Sequence, residues 1–242
     1  MDQPAAPNSE TETEAGKQRM IVSRGLRFPL DPELLTRKQI RLLRANLYED
    51  KEFAAVRALV RPEDVVLELG AGMGFMSTVA AVKRRASAVH AFEANPRMIP
   101  YIHEVHRLNG ATTAQVHHAV LGPGDGSATF YVRAEFPDSS LDPDPPGPVS
   151  EVIDTVEVER RDTARAFREI APSFLICDIE GAEATLLPAA DLSTLRCAVV
   201  ELHPQWIGQT GVRAVFDAFH AAGLTFYPRT SHKKVATFRR DW

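Results

Sequence analysis

The chain has 242 residues, of which 44% are hydrophobic and 25% charged, an ordinary composition for a globular protein. The formal net charge of -4 argues against a broad nucleic-acid-binding face. No apolar run approaches the ~20 residues that a membrane-spanning helix needs. We therefore expect a cytoplasmic protein that has neither nucleic acid nor a membrane as its partner. Cys177 and Cys197 each lie inside an apolar run, which predicts free, buried thiols.

The N-terminal quarter of the chain differs from the rest. Residues 1–17 are polar and acidic, with none of the features of a signal peptide, and predict a disordered tail. Residues 18–62 predict a helical lid. Its first helix would be capped by Asp31, which a proline follows, and would carry a leucine stripe. Its second helix would span about Glu49–Val60.

From residue 63 onward the pattern is typical of an α/β domain, which we expect to span residues 63–242. Short apolar runs alternate here with helical stretches, and the runs are Val65–Leu69, Ala88–Phe92, Val116–Leu121, Phe174–Cys177 and Cys197–Leu202. Strands that are apolar throughout predict a parallel sheet covered on both faces. A hairpin of Leu224–Tyr227 and Val235–Phe238 should end the domain. Residues 137–149, rich in Pro, Gly and Asp, predict a mobile loop.

A glycine-rich turn, Glu68–Gly74, joins the first of these strands to a helix. Glycines let the backbone turn sharply and approach a ligand closely. A dinucleotide fingerprint has the spacing G-x-G-x-x-G, but its sixth position would be Phe75 counted from Gly70, or Ser77 counted from Gly72. The observed acidic-x-Gly-x-Gly-x-Gly spacing favours S-adenosylmethionine instead. This cofactor has no pyrophosphate, so the turn need only accommodate its amino acid moiety and ribose.

Glu93 ends the next predicted strand and is the second cofactor candidate. A carboxylate at this place can accept hydrogen bonds from both ribose hydroxyls of an adenosine. Glu68 has two open interpretations, since it could orient the glycine turn or contact the ammonium group of the cofactor.

Three carboxylates in six residues, Asp178, Glu180 and Glu183, follow the buried run that ends at Cys177. Ligands of open α/β sheets bind at this edge, and acids that are desolvated there have raised pKa values, which suits a proton acceptor. Alternatively, Glu183 only stabilises the start of the following helix. No His or second carboxylate stands at clear ligand spacing along the chain, so we predict no metal site.

His203 follows Glu201 at the end of another central strand, so both side chains could face the same crevice. An imidazole is a suitable base for a hydroxyl proton near neutral pH. The alternative is a strand-end histidine bonded to solvent or to Glu201. We therefore predict Asp178, Glu180 and His203 as the candidate catalytic residues.

Taken together, four motifs make the chain resemble the FkbM family of methyltransferases over roughly residues 48–201. They are Leu67–Gly74, Phe92–Asn95, Asp178–Glu183 and Val199–Leu202. The resemblance implies a Rossmann-like class I methyltransferase fold, a seven-stranded and mostly parallel sheet with an antiparallel last strand. It also implies S-adenosylmethionine as cofactor and, as the acceptor, a hydroxyl on a sugar, polyketide or other small metabolite. The cofactor-binding residues expected from the spacing and the resemblance are Tyr48, Glu68, Gly70, Ala71, Gly72, Gly74, Glu93, Ala94, Ala119 and Asp178.

One position departs from the family pattern. Members commonly have a Lys two residues before the Asp of the acidic block, where this chain has Ile176. Four alternatives stay open at this point. They are a nitrogen acceptor, a carbon acceptor, a nicotinamide-dependent oxidoreductase and a non-catalytic cofactor-binding module. As a further partner we expect a second copy of the chain in a homodimer.

Overall fold

The structure is a computed structural model that describes residues 19–242, so the predicted tail of residues 1–17 lies outside the described part. The α-helices of this part are α1 (Arg37–Arg44), α2 (Asp50–Leu59), α3 (Phe75–Thr78), α4 (Met98–Asn109), α5 (Thr163–Ile170), α6 (Glu183–Ala189) and α7 (Pro204–Ala221). The strands are β1 (Met20–Ser23), β2 (Leu26–Pro29), β3 (Val65–Leu69), β4 (Ala88–Glu93), β5 (Ala114–Gly122), β6 (Gly126–Arg133), β7 (Val152–Asp162), β8 (Phe174–Cys177), β9 (Cys197–Glu201), β10 (Thr225–Phe226) and β11 (Val235–Arg239).

Nine of these strands form the main sheet of the described residues, in the order β10-β11-β9-β8-β3-β4-β5-β7-β6. Strands β9, β8, β3, β4 and β5 run parallel, and β11 lies antiparallel between β9 and β10. This arrangement confirms the predicted class, with its mostly parallel sheet and antiparallel last strand. The strand number differs, because β7 and β6 extend the sheet beyond β5.

The two extra strands went unpredicted because they lack a continuous apolar run. Strand β6 pairs antiparallel with β7 at the edge of the sheet, and β7 is exposed over most of its length. Such strands alternate polar and apolar residues, and the pattern in Val152–Asp162 is dominated by charge. The loop between them contains a short 3₁₀ helix, Phe136–Asp138, and Ser140 forms an isolated bridge to Tyr131.

The prediction of a helical lid at residues 18–62 needs correction. The segment begins with an antiparallel hairpin of β1 and β2, and α1 is capped by Thr36 rather than by Asp31. Thr36 and Gln39 form a reciprocal capping box, in which each side chain bonds the backbone N–H of the other. Asp31 instead accepts hydrogen bonds from the backbone of Glu33 and Leu34 in a local turn.

Apolar side chains cover both faces of the sheet, because successive residues of a strand point to opposite faces. In β8, Phe174 and Ile176 pack into the core on one face, while Leu175 and Cys177 pack into the core on the other. Both cysteines are free and buried, as predicted. No helix within residues 19–242 combines the length and the apolar character that crossing a membrane requires. The carboxyl ends of β3, β4, β8 and β9 meet at one edge, where the predicted site residues lie.

Candidate active site

A cleft opens at this carboxyl edge of the sheet and contains about 960 Å³ of space not filled by protein atoms, part of it open to solvent. One wall is apolar and includes Val120, Leu121 and Phe130, and the loop residues 139–141 lie over it. The other end is lined by acids, Glu49, Asp178 and Glu180 among them. An apolar wall next to a polar end fits a ligand that has a flat ring and a charged tail.

The glycine turn brings the backbones of two strands together. Gly70 has a φ of +82°, and a Cβ at this position would lie 1.8 Å from the carbonyl oxygen of Asp178. The backbone N–H of Asp178 in turn donates to the carbonyl of Leu69 at 2.9 Å. Only glycine fits here, because a side chain would have to displace backbone atoms. Gly74, with φ +74°, is the left-handed residue from which α3 begins.

Glu93 holds the turn in place from the next strand. Its two carboxylate oxygens accept hydrogen bonds from the backbone N–H groups of Gly72 and Asn95, both at 2.7 Å. Burial raises the pKa of Glu93 to about 7, although the hydrogen bonds from the Asn95 and Gly72 backbone act in the opposite direction. Each oxygen keeps an unused lone pair, so the carboxylate can still accept hydrogen bonds from a ligand.

Glu68 lies behind the turn rather than in the cleft. Its side chain is buried, and its Oε1 accepts a hydrogen bond from the backbone of Ser77 in α3 at 3.1 Å. The geometry therefore supports the interpretation that Glu68 orients the turn. Its Oε2 is buried without a hydrogen-bond partner among the described residues. Burial, followed by the charge of Glu49, raises the pKa of Glu68 well above its ordinary value.

Ile176 is the strand neighbour of Glu68 and brings no hydrogen-bond donor to this unpartnered oxygen. Its Cα pairs with that of Glu68 across β8 and β3, so both side chains lie on the same face of the sheet. At 5% exposure, Ile176 packs among apolar residues and offers no hydrogen-bond donor. A Lys, which relatives commonly have at this position, would place an ammonium group beside the Glu68 carboxyl.

Four side chains from two adjacent strand ends meet at the acidic end of the cleft. The Nε2 atom of His203 lies 3.0 Å from Glu180 Oε2, 3.7 Å from Asp178 Oδ1 and 3.9 Å from Glu201 Oε1. Glu180 has a φ of +48°, an uncommon conformation that turns the chain directly after Asp178. Burial raises the pKa of Glu180 to about 7, and burial together with the charges of Glu201 and Glu180 raises the pKa of Asp178.

His203 is oriented from behind by Glu183. This carboxylate is fully buried and accepts hydrogen bonds from the backbone N–H of His203 at 2.8 Å, from its Nδ1 at 3.2 Å and from the backbone of Gly181 at 2.8 Å. Burial raises the pKa of Glu183, but the bonds from His203 outweigh it and leave the pKa below its ordinary value. Because the ionised carboxylate only accepts, His203 must donate from Nδ1, and its Nε2 faces the three acids.

The same contacts give His203 a raised pKa. Its burial lowers the pKa, but the hydrogen bond to Glu183 and the charges of Glu180 and Glu201 raise it by more. Trp206 stacks on the imidazole, with ring centroids 5.0 Å apart, and its Nε1 donates to the carbonyl of Pro146. The histidine is therefore held on three sides, which contradicts the interpretation of a solvent-bonded strand end.

The structure brings most of the predicted residues together. The cleft is lined by Tyr48, Gly70, Gly72, Glu93, Ala94, Ala119, Asp178 and Glu180. Three others, Glu68, Ala71 and Gly74, lie in the turn behind its wall. His203 lies behind Glu180, at the closed end of the acidic cluster. Their roles in binding or catalysis stay predictions.

Glu49, together with Tyr48, resembles the family pattern, but only Tyr48 was predicted as a site residue. Glu49 adopts a φ of +43° and lines the cleft, and burial raises its pKa to about 8. The prediction of no metal site considered only ligand spacing along the chain, and it stays a prediction. Ligand atoms of Asp178, Glu201 and His203 all lie within 4.8 Å of one another, although more than 20 residues separate the first from the other two.

The chain was compared with protein-family profiles, curated proteins and solved structures. The sequence profile described as methyltransferase FkbM domain matches residues 68–237. No curated protein matches the chain.

Similar solved structures include TYW2 from M. jannaschii in complex with AdoMet, with 13% identity, 96% of this chain and 90% of that chain covered, and a TM-score of 0.49. Trm5b from Pyrococcus abyssi has 15% identity, 93% and 56% coverage and a TM-score of 0.49. Precorrin-6y C5,15-methyltransferase from Geobacter metallireducens GS-15 has 12% identity, 88% and 93% coverage and a TM-score of 0.46. None of the three reaches a TM-score of 0.5, so the assignment depends on the profile.

The profile covers both halves of the cleft, from Glu68 at the glycine turn to the strand that pairs with Glu201. It confirms the prediction of an S-adenosylmethionine-dependent methyltransferase. The chain belongs to the FkbM family of methyltransferases.

Proposed function

We propose that the protein methylates a hydroxyl oxygen of a small-molecule acceptor, such as a sugar, a polyketide or a similar metabolite. The observation that carries this proposal is the pairing of two unlike ends in one cleft. The glycine turn and Glu93 form one end, and Asp178, Glu180 and His203 form the other.

The residues at the first end fit S-adenosylmethionine. Ala94, Ala119 and Leu121 offer an apolar wall for the adenine, and Glu93 has lone pairs left for the ribose hydroxyls. Gly70 and Gly72 line the cleft at the turn, next to which the amino acid moiety would lie. When bound, the cofactor supplies a methyl group that its sulfonium already activates.

The acidic end suits an acceptor that must lose a proton. A hydroxyl oxygen becomes a competent nucleophile as its proton leaves, so a positioned base is needed. Glu180, with a pKa of about 7 caused mainly by burial, is matched to that task near neutral pH. Asp178 and Glu180 touch the cleft, and His203 stands behind them at 3.0 Å from Glu180. The chain's remaining contribution is to hold the acceptor oxygen in line with the methyl group and to exclude water.

Labelling identifies the acceptor directly. The full chain is incubated with methyl-labelled S-adenosylmethionine and a metabolite extract, and labelled products are analysed by mass spectrometry. The proposal expects a labelled methyl ether. Label on nitrogen would refute the hydroxyl assignment, and cofactor binding without any labelled product across many extracts would indicate a non-catalytic module.

Variants separate the two ends. Glu93→Ala should weaken S-adenosylhomocysteine binding by ~1.5–3 kcal/mol, because charge-assisted hydrogen bonds are lost. Glu180→Gln should instead lower kcat while calorimetry shows nearly unchanged cofactor affinity. Unchanged affinity in Glu93→Ala would refute the ribose assignment, and unchanged kcat in Glu180→Gln would exclude Glu180 as the base.

A further inference from the structure

The acidic end of the cleft has the composition of a metal site. Carboxylate oxygens of Asp178, Glu180 and Glu201 lie 3.0 to 3.9 Å from Nε2 of His203, and ligand atoms of Asp178, Glu201 and His203 lie within 4.8 Å of one another. Ligand atoms around Mg²⁺ at ~2.1 Å stand ~3 Å apart when adjacent and ~4.2 Å apart when opposite. The distances from His203 Nε2, 3.0 to 3.9 Å, fall between these values. The ligand atoms of Asp178, Glu201 and His203 lie within 4.8 Å of one another, so their side chains would have to move inward to surround one ion.

The orientation of His203 is an independent observation that points to a ligand. The imidazole is 3% exposed, and Glu183 behind it takes the hydrogen of Nδ1. A histidine that binds a metal is commonly held in this way, since a carboxylate on one ring nitrogen fixes the tautomer and leaves the other nitrogen's lone pair for the ion. Here that other nitrogen, Nε2, is directed at carboxylates. Asp178 Oδ1 is also buried without a hydrogen-bond partner among the described residues.

The number of acidic side chains at this end of the cleft also favours a bound cation. Asp178, Glu180 and Glu201 stand together, and Glu49 lines the same cleft. Lys234 lies 3.8 Å from Glu201, and its side chain is 47% exposed. One exposed ammonium group and one imidazolium do not neutralise this many partly buried acids. A bound divalent cation would offset two of these negative charges.

We propose that Asp178, Glu201 and His203 bind one divalent cation, Mg²⁺ or Mn²⁺, while Glu180 stays beside the cation as the base. The group offers two carboxylate oxygens and one imidazole nitrogen, and no cysteine of the described residues belongs to it. Such a set of ligands favours a hard cation over a thiophilic one. The inference rests on the proposed function, because the cation would lie where the acceptor hydroxyl arrives. A cation bound to that oxygen makes its proton more acidic.

Manganese provides the test, because electron paramagnetic resonance measures free Mn²⁺ directly. The full chain, stripped with a chelator, is titrated with Mn²⁺ alone, and Mg²⁺ is then added as competitor. We expect one Mn²⁺ per chain that Mg²⁺ displaces. Glu201→Gln should weaken Mn²⁺ binding by at least roughly tenfold, as the loss of a ligand charge does. The matched control, Glu169→Gln, changes an exposed acid on α5 and should bind like the wild type.

Glu183→Gln tests the positioning of His203. It leaves the three ligands in place but weakens the acceptor of Nδ1, so Mn²⁺ affinity should fall by roughly 10-fold or more. Circular dichroism establishes that each variant is folded. If Glu183→Gln does not fold, Asp178→Asn replaces it, with the same expected loss of Mn²⁺ affinity.

Three results would overturn the proposal. They are absence of Mn²⁺ binding at millimolar concentration, equal Mn²⁺ affinity in Glu201→Gln and Glu169→Gln, and occupation by Zn²⁺ of a chain that ignores Mn²⁺ and Mg²⁺. Calorimetry with S-adenosylhomocysteine on the same samples keeps the two proposals distinct. Cofactor binding and methyl transfer without Mn²⁺ binding would refute the cation alone, whereas Mn²⁺ binding without any methyl transfer would refute the proposed function.

Discussion

The two ends of the cleft differ in how the charges of their buried carboxylates are compensated. At the glycine turn, Glu93 receives two backbone N–H groups, so the chain itself supplies the partners of the carboxylate. At the other end, Asp178, Glu180 and Glu201 face one another across an imidazole. The first end is complete in the free protein and can accept a ligand as it stands. The second is left with like charges whose balance requires a proton, an acceptor or a cation. Cofactor binding and acceptor chemistry thus place different demands on one sheet edge.

The largest effect is expected where the two ends touch. Gly70→Ala places a Cβ 1.8 Å from the Asp178 carbonyl oxygen, at a φ of +82°. We expect the free energy of unfolding to fall by more than ~3 kcal/mol, since backbone must move and β3 and β8 must separate. Urea denaturation measures it. Gly110→Ala is the matched control, because φ is +66° but the space around it is open, so only the conformational cost of ~1 kcal/mol applies. Equal losses in both variants would contradict the close contact.

A second prediction concerns the unpartnered oxygen behind the turn. Ile176→Lys should destabilise the protein less when Glu68 is present than in a Glu68→Gln background, because the ammonium can pair with the buried carboxyl. The coupling energy from urea denaturation of the four proteins should be about 1–3 kcal/mol. Ile176→Met in the same cycle is the control and should show coupling near zero. A Lys coupling near zero would mean that the two side chains do not meet.

The smallest expected effect is the pH dependence that Glu93 gives to stability and to cofactor affinity. Burial holds the pKa of Glu93 near 7, above its ordinary 4.5, so the folded protein keeps this proton longer than the unfolded chain. Ionisation of Glu93 therefore destabilises the folded protein, and the free energy of unfolding decreases as pH rises from about 4.5 to about 7. Affinity for S-adenosylhomocysteine should change in the other direction, because the ionised carboxylate is the better acceptor. Calorimetry should show affinity falling by up to roughly tenfold per pH unit below pH 7. Glu93→Gln should remove most of this dependence, and an unchanged slope in that variant would assign the titration to another group.

Much of the site could be predicted from local sequence. Strands β3 and β8 were predicted with the bounds that the structure has, since runs such as Val65–Leu69 are apolar on both faces and glycines follow at once. The edge strands β6 and β7 could not be predicted in this way. Their alternation is masked by charged residues on an exposed face, and they are strands because β7 pairs with β5 and β6 pairs with β7. The β1–β2 hairpin was missed for a similar reason, because each strand has only four residues.

By itself, the sequence determined the family, the order of the central strands along the chain and the identity of the glycine turn, because these depend on spacing within a few residues. Tertiary structure alone decided which distant side chains share an environment. It set Glu183 behind His203, Ile176 beside Glu68, and Glu201 within reach of Asp178. The physical reason is that parallel strands place residues far apart in the chain at one edge, where the distances between side chains depend on register and burial.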